Sequence, residues 1–243
     1  MRSRNVCVLA VVASLLLVTT GTLSAAVLWE DNFAGTTLDT TKWIANGGGT
    51  VTVDGTNVKL NVPSTNSDWD YAQLTSVNTW TAGSDLYYSF KIGAAPTGDY
   101  DMFQVFGGTA QAPYVAMRGD TPAGVNNWVF DVRQNTTGEG VTNVAYHGTL
   151  ASPMTAGDIW TLKVGPTGSA AYKNGVLFDS TTIVPDGSLM IDAQTWKAPG
   201  QSCSQTFDFI SVSDTAPVPE PGTIVLTVLA LLGLVCYAWR KRK

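Results

Sequence analysis

Through the middle of the chain, short apolar and β-branched runs alternate with polar residues. Nowhere between Val27 and Pro217 does an apolar period of 3.6 residues persist. The runs cover residues 51–53, 58–62, 86–92, 101–106, 114–118, 128–133, 141–147, 159–164, 169–172, 176–178, 189–193 and 207–212, and Gly, Pro, Asn or Asp separates them. Such runs predict strands closed by turns. Asp54-Gly55 and Asn174-Gly175 each predict a tight hairpin, because both central residues of that turn take positive φ. About a dozen strands, roughly 8–12 residues apart, predict an all-β fold: a two-sheet antiparallel sandwich. No fixed-period repeat is present, which argues against a propeller or solenoid.

The two ends follow other patterns. Arg2 and Arg4 precede an apolar run over residues 6–18, and the small residues Ser24, Ala25 and Ala26 follow. This predicts a secretory signal helix over residues 1–26, cleaved after Ala26 by the signal peptidase of the secretion machinery. The alternative is an uncleaved anchor, for which the run is short. At the other end, Val218-Pro219-Glu220-Pro221 leads into an apolar run over residues 222–239 and then Arg240-Lys241-Arg242-Lys243. As one transmembrane helix that run would measure about 27 Å, just enough for a thin bilayer core. Four consecutive cations stop transfer and hold the C-terminus in the cytoplasm. The prolines around Glu220 keep that tetrapeptide extended, as a protease requires.

Residues 218–243 together resemble a PEP-CTERM sorting signal. The resemblance implies processing by an exosortase near Pro219-Glu220-Pro221, in a Gram-negative-type bacterium that makes exopolysaccharide. It also implies a single-span inner-membrane precursor that moves, once processed, to the envelope or extracellular matrix. A permanent anchor is the plain alternative.

Composition narrows the role of the body, residues 27–217. It holds 8 Lys/Arg against 18 Asp/Glu, a net charge of −10, which excludes a nucleic-acid partner. No second long apolar run exists, so a polytopic membrane protein is excluded as well. Cys7 lies in the leader and Cys236 in the apolar tail, leaving Cys203 as the body's one thiol. Packing rather than a disulfide must hold the fold. Trp43, Trp80, Trp128, Trp160 and Tyr88 stand within apolar runs and are expected in the core.

Three stretches of the body carry a likeness. Leu28-Trp29-Glu30-Asp31-Asn32-Phe33 with Lys42-Trp43 resembles the first strand of concanavalin A-like lectin/glucanase domains. Residues 159–164, with Tyr172-Lys173-Asn174-Gly175, resemble their late hairpin. Residues 207–212 resemble their final strand, which pairs beside the first. The resemblance implies a jelly-roll sandwich. Laminarinase-like hydrolases of this fold carry Glu-x-Asp-x-x-Glu on the concave sheet, and the nearest match here is Asp99, Asp101 and Gln104. Asp99 and Asp101 are two apart and should share a face, whereas Gln104 would need a bulge to join them. Retaining hydrolysis needs two carboxyls about 5–5.5 Å apart, one of them a proton donor. Gln104 cannot transfer a proton at neutral pH.

Other chemistry is sparse. His147 is the only histidine, so no histidine cluster can hold zinc, and no metal ligand set is assigned. Gly47-Gly48-Gly49 runs into strand-forming residues and reads as a turn rather than a phosphate cradle. No cofactor is expected. The fold family suggests Ca2+ near Asp68-Trp69-Asp70, although a solvated acidic loop is the simpler reading. Trp69 and Trp196 stand among polar residues and are candidates to stack on a pyranose ring. The sequence thus describes a non-catalytic exported protein, glycan-binding or structural, with exopolysaccharide as a candidate partner. A degenerate hydrolase using Asp99 and Asp101 is the alternative.

Overall fold

The computed structural model describes residues 26–65, 68–81, 83–97, 100–107, 114–120, 128–134, 144–147, 154–185 and 187–216. Residues 1–25 of the signal segment and all of residues 218–243 lie outside these residues, and so does Asp99. Residues 26–218 form one compact unit. Every element described is a strand: β1 (Val27–Asp31), β2 (Trp43–Gly47), β3 (Thr50–Val53), β4 (Val58–Val62), β5 (Asp70–Ser76), β6 (Trp80–Thr81), β7 (Leu86–Ala94) and β8 (Tyr100–Phe106). The second half adds β9 (Tyr114–Asp120), β10 (Trp128–Gln134), β11 (Val144–His147), β12 (Ile159–Gly165), β13 (Gly168–Lys173), β14 (Val176–Thr181), β15 (Ser188–Lys197) and β16 (Cys203–Ser213).

Two antiparallel sheets result. The first runs β14-β13-β12-β7-β16-β4-β3, with β1 paired to β16. The second runs β11-β10-β9-β8-β15-β5-β2, with β6 paired to β15. The last strand returns beside the first, Trp29 opposite Val212, in agreement with the resemblance of residues 28–33 and 207–212. Alternation explains the layering. In β7, Tyr88, Phe90 and Ile92 are fully buried, while Ser89 and Lys91 face the other way. Phe90 of the first sheet stacks on Phe103 of the second, ring centroids 3.7 Å apart, and Phe207 meets both edge-on. Trp43, Trp128, Trp160 and Tyr88 are buried as expected. Trp80 is only half-buried, packed against Trp29 and Tyr88 at the margin of the core. Cys203 is buried and forms no disulfide among the described residues.

The two hairpins differ from each other. Asn174 and Gly175 both take positive φ (52° and 76°), joining Lys173 to Val176 as expected. At Asp54-Gly55 only the glycine does. That turn spans four residues, because the Asp54 carboxylate accepts hydrogen bonds from the Thr56 and Asn57 amides and so caps a wider loop. Strands β2 and β6 lie outside the predicted set, and so does the longer β5. Its face alternation is masked by polar residues on both faces, Gln73 outward and Thr75 and Ser76 at its end. Gly47 ends β2 at φ 103°, where a side chain would collide with the Tyr71 carbonyl as the chain leaves the second sheet for the first.

Candidate functional site

Two strands at the centre of the second sheet set up the site. In β15, Leu189, Ile191 and Ala193 point into the core, so Met190, Asp192, Gln194 and Trp196 point outward. In β8, Phe103 and Val105 point inward, so Met102, Gln104 and Phe106 point outward. The same parity puts Tyr71, Gln73 and Thr75 of β5 on the outer face, with Tyr114 and Arg118 of β9 and Asp131 and Arg133 of β10.

Register then aligns these residues in rows across the strands. One row runs Ile44, Thr75, Asp192, Gln104, Ala116, Asp131 and reaches the position of His147. A neighbouring row runs Asn46, Gln73, Gln194, Met102, Arg118. Asp192 is fully buried where the rows meet. Its Oδ2 accepts from Gln104 Nε2 at 2.6 Å and from Gln194 Nε2 at 2.9 Å, and its Oδ1 from Thr75 Oγ1 at 3.2 Å. Burial pushes this carboxyl above its ordinary range, and the donors, Gln73 among them, offset only part of that shift. Gln194 extends the network, because its Oε1 accepts from Trp196 Nε1 at 2.6 Å. The Trp196 ring, thus held by its edge, stacks on Tyr71 at 4.4 Å and 18°. Both rings remain half-buried.

A second cluster centres on Asp131, also fully buried. Tyr114 Oη donates to its Oδ2 at 2.7 Å, and the same oxygen meets Arg118 Nη1 at 3.4 Å and Arg133 Nη2 at 3.5 Å. The Arg133 guanidinium lies 5.3 Å from the Tyr114 ring centroid. Burial, reinforced by the bond to Asp131, pushes the Tyr114 phenol well above its ordinary value. Asp131 and Asp192 stand three strands apart in one row, about 14 Å at ordinary strand spacing.

The predicted residues divide. Gln104 and Trp196 are on the outer face, as parts of one network. Asp101 is not. The register of β8 is continuous from Tyr100 to Phe106 against both neighbours, so no bulge turns Gln104 toward Asp101. Asp101 points inward with Phe103 and Val105, is 3% exposed and accepts a hydrogen bond from Thr195 Oγ1. The bulge that Gln104 would need to join Asp101 is absent, and the two side chains lie on opposite faces of the sheet. Trp69 precedes β5 and is 54% exposed. Near it, the Asp68 carbonyl accepts from Lys197 Nζ at 3.2 Å, and Asp70 Oδ1 accepts from its neighbour's amide at Tyr71. Asp192, Gln194, Tyr71 and the Arg118–Asp131–Arg133 group lie beyond the sequence reading. For Asp192 and Gln194 the one signal was the period-two run of Asp192, Gln194 and Trp196 alternating with Ile191, Ala193 and Thr195 in β15.

Comparison with known proteins bears on the sorting segment and on the fold. Residues 217–243 match the PEP-CTERM protein-sorting motif. No curated protein sequence matches the chain. Among solved structures, the fold is similar to LamAcat from Zobellia galactanivorans, with TM-score 0.59 and 8% identity, over 77% of this chain and 97% of that one. It is also similar to the catalytic domain of an endo-1,3-beta-glucanase (laminarinase) from Thermotoga petrophila RKU-1, with TM-score 0.57 and 12% identity, over 80% and 99%. A third is the GlcNAcα1-4Gal-releasing endo-β-galactosidase from Clostridium perfringens, with TM-score 0.60 and 12% identity, over 83% and 65%. At such identities the likeness concerns the fold. The chain carries a PEP-CTERM sorting motif on a body of glucanase-like jelly-roll fold.

Proposed function

We propose that the body is a non-catalytic glycan-binding domain, exported and then sorted by an exosortase to the cell envelope or extracellular matrix. The observation that carries the reading is the linked network Trp196–Gln194–Asp192–Gln104 on the outer face of the second sheet. An aromatic ring held at its edge, with neighbouring amides, supplies what sugar recognition needs: an apolar plate for a pyranose face and fixed polar groups for hydroxyls.

Two further facts favour binding over cleavage. The carboxyl at the centre of the face is surrounded by amides and a hydroxyl rather than by a second acid. The separation of about 14 Å from Asp131 exceeds what either stereochemical course of glycoside hydrolysis uses. The alternative pair, Asp99 and Asp101, loses its support with Asp101 turned into the core.

The test is retention of the full chain, purified in detergent, on a panel of immobilised neutral and acidic polysaccharides. Trp196→Ala should weaken retention by about tenfold, the loss of a stacked aromatic contact. Equal retention of the variant would overturn the reading. The sorting half is tested separately. Glu220→Ala should accumulate an unprocessed precursor with an intact C-terminus, and product of normal size from that variant would count against sorting through Val218-Pro219-Glu220-Pro221.

A further inference from the structure

The outer face of the second sheet carries two guanidiniums where most of the body's surface is acidic. Of the eight Lys/Arg in the body, Arg118 and Arg133 reach one carboxylate on this face from opposite directions along the strands, against a body charge of −10. They share one oxygen of one carboxylate, Asp131 Oδ2, which is also taken by Tyr114 Oη. Arg133 carries the inference. Its one charged contact among the described residues is 3.5 Å long, and it runs from a single Nη rather than through the two-pronged geometry that guanidinium and carboxylate prefer. Its Nε is buried without an acceptor, and its side chain is 36% exposed. A guanidinium offers five donors in one plane, so most of those on Arg133 are unengaged by the described residues. The phenol ring of Tyr114 backs it and fixes its plane.

We infer that Arg133, together with Arg118, forms an oxyanion subsite that selects acidic glycans: chains whose sugars bear a carboxylate or a sulfate ester. The inference rests on the glycan-binding reading and names the class of ligand. The ligand oxygens complete the fork that Asp131 leaves half-filled. Trp196 lies two strands and two residues from Arg118, about 12 Å by ordinary sheet spacing, and three strands and six residues from Arg133, about 24 Å. One oligosaccharide therefore spans the stacking pair and the cationic pair. The body's net negative charge repels polyanions at long range whereas Arg240–Lys243 attract them, so the subsite is reported by the change that the Arg133 and Asp131 variants make rather than by retention alone.

The experiment compares retention of the full chain in detergent on polygalacturonate (carboxylated), dextran sulfate (sulfated) and dextran (neutral) at physiological ionic strength. The wild type should favour at least one acidic polymer over dextran, and the polymer whose retention falls in Arg133→Gln identifies the oxyanion. Arg133→Gln should lower the acidic-to-neutral ratio by about tenfold, the loss of a charge-assisted hydrogen bond. Asp131→Asn should raise that ratio, since it keeps an acceptor for Tyr114 and removes the competing charge. A purely structural role for the cluster would not produce that increase, and the second variant serves where the first folds poorly. Dextran held as strongly as both acidic polymers, or a ratio unmoved by either folded variant, overturns this inference and leaves glycan binding intact. Retention of no polymer overturns both.

Discussion

The outer faces of the two sheets use their polar residues in opposite ways. On the first sheet, charges pair one to one and half-exposed: Lys91 with Asp208 at 2.8 Å, Lys163 with Asp85 at 2.7 Å. A hydroxyl pair, Ser89 and Thr161, closes the gap between β7 and β12 at 2.8 Å. On the second sheet, two carboxylates are fully buried, one among amides and one under two guanidiniums, beside a stacked aromatic pair. Exposed ion pairs keep a strand soluble at little gain or cost. Buried polar groups cost free energy unless fully partnered, so a fold that concentrates them on one face has a use for that face.

Cutting the buried network should show the largest effect. Asp192→Ala removes the shared acceptor of Gln104, Gln194 and Thr75 and should destabilise the body by about 2–4 kcal/mol in a denaturant titration. A loss below about 1 kcal/mol would place the network in solvent, like the pairs of the other face.

Two acids should respond to pH with opposite sign. Asp192 is raised in the folded state, chiefly by burial, so its contribution to stability is complete below the unfolded carboxylate range near 3.8 and is lost as pH rises through the folded value. Beside the first sheet, burial also pushes Asp158 up, but hydrogen bonds from Lys173 and Thr155 outweigh it and leave the carboxyl below that range. Its contribution is present above 3.8 and is lost as pH falls through the folded value. Melting curves of wild type, Asp192→Asn and Asp158→Asn from neutral pH downward check this. Acidification should improve the wild type relative to the first variant and erode its advantage over the second. Parallel trends would remove the distinction.

The smallest effect is expected on the first sheet. Lys91→Ala and Lys163→Ala should each change stability by no more than about 1 kcal/mol, because their pairs are partly solvated.

The body's architecture was legible because alternation and turn residues are local signals. Val58–Val62, Leu86–Ala94 and the Asn174-Gly175 hairpin carry them plainly. The site was legible only in parts. Gln104 and Trp196 could be singled out by their residue types, but whether Gln104 joins Asp101 depends on a bulge, and a bulge is a property of the pairing between strands. Asp192, Gln104 and Thr75 meet because three strands distant in sequence share one register row. Within any single segment, Asp192 looks like one acid in an apolar strand. The Arg118–Asp131–Arg133 group is invisible for the same reason: its members are assembled by the β9–β10 pairing.

The central claim is that the outer face of the second sheet holds a glycan without cutting it. Its most direct test is to recover the polysaccharide retained by the full chain after long incubation and measure its length. The expected result is retained polymer of unchanged length. Shortened chains with new reducing ends, absent when Asp192→Asn replaces the wild type, would contradict it.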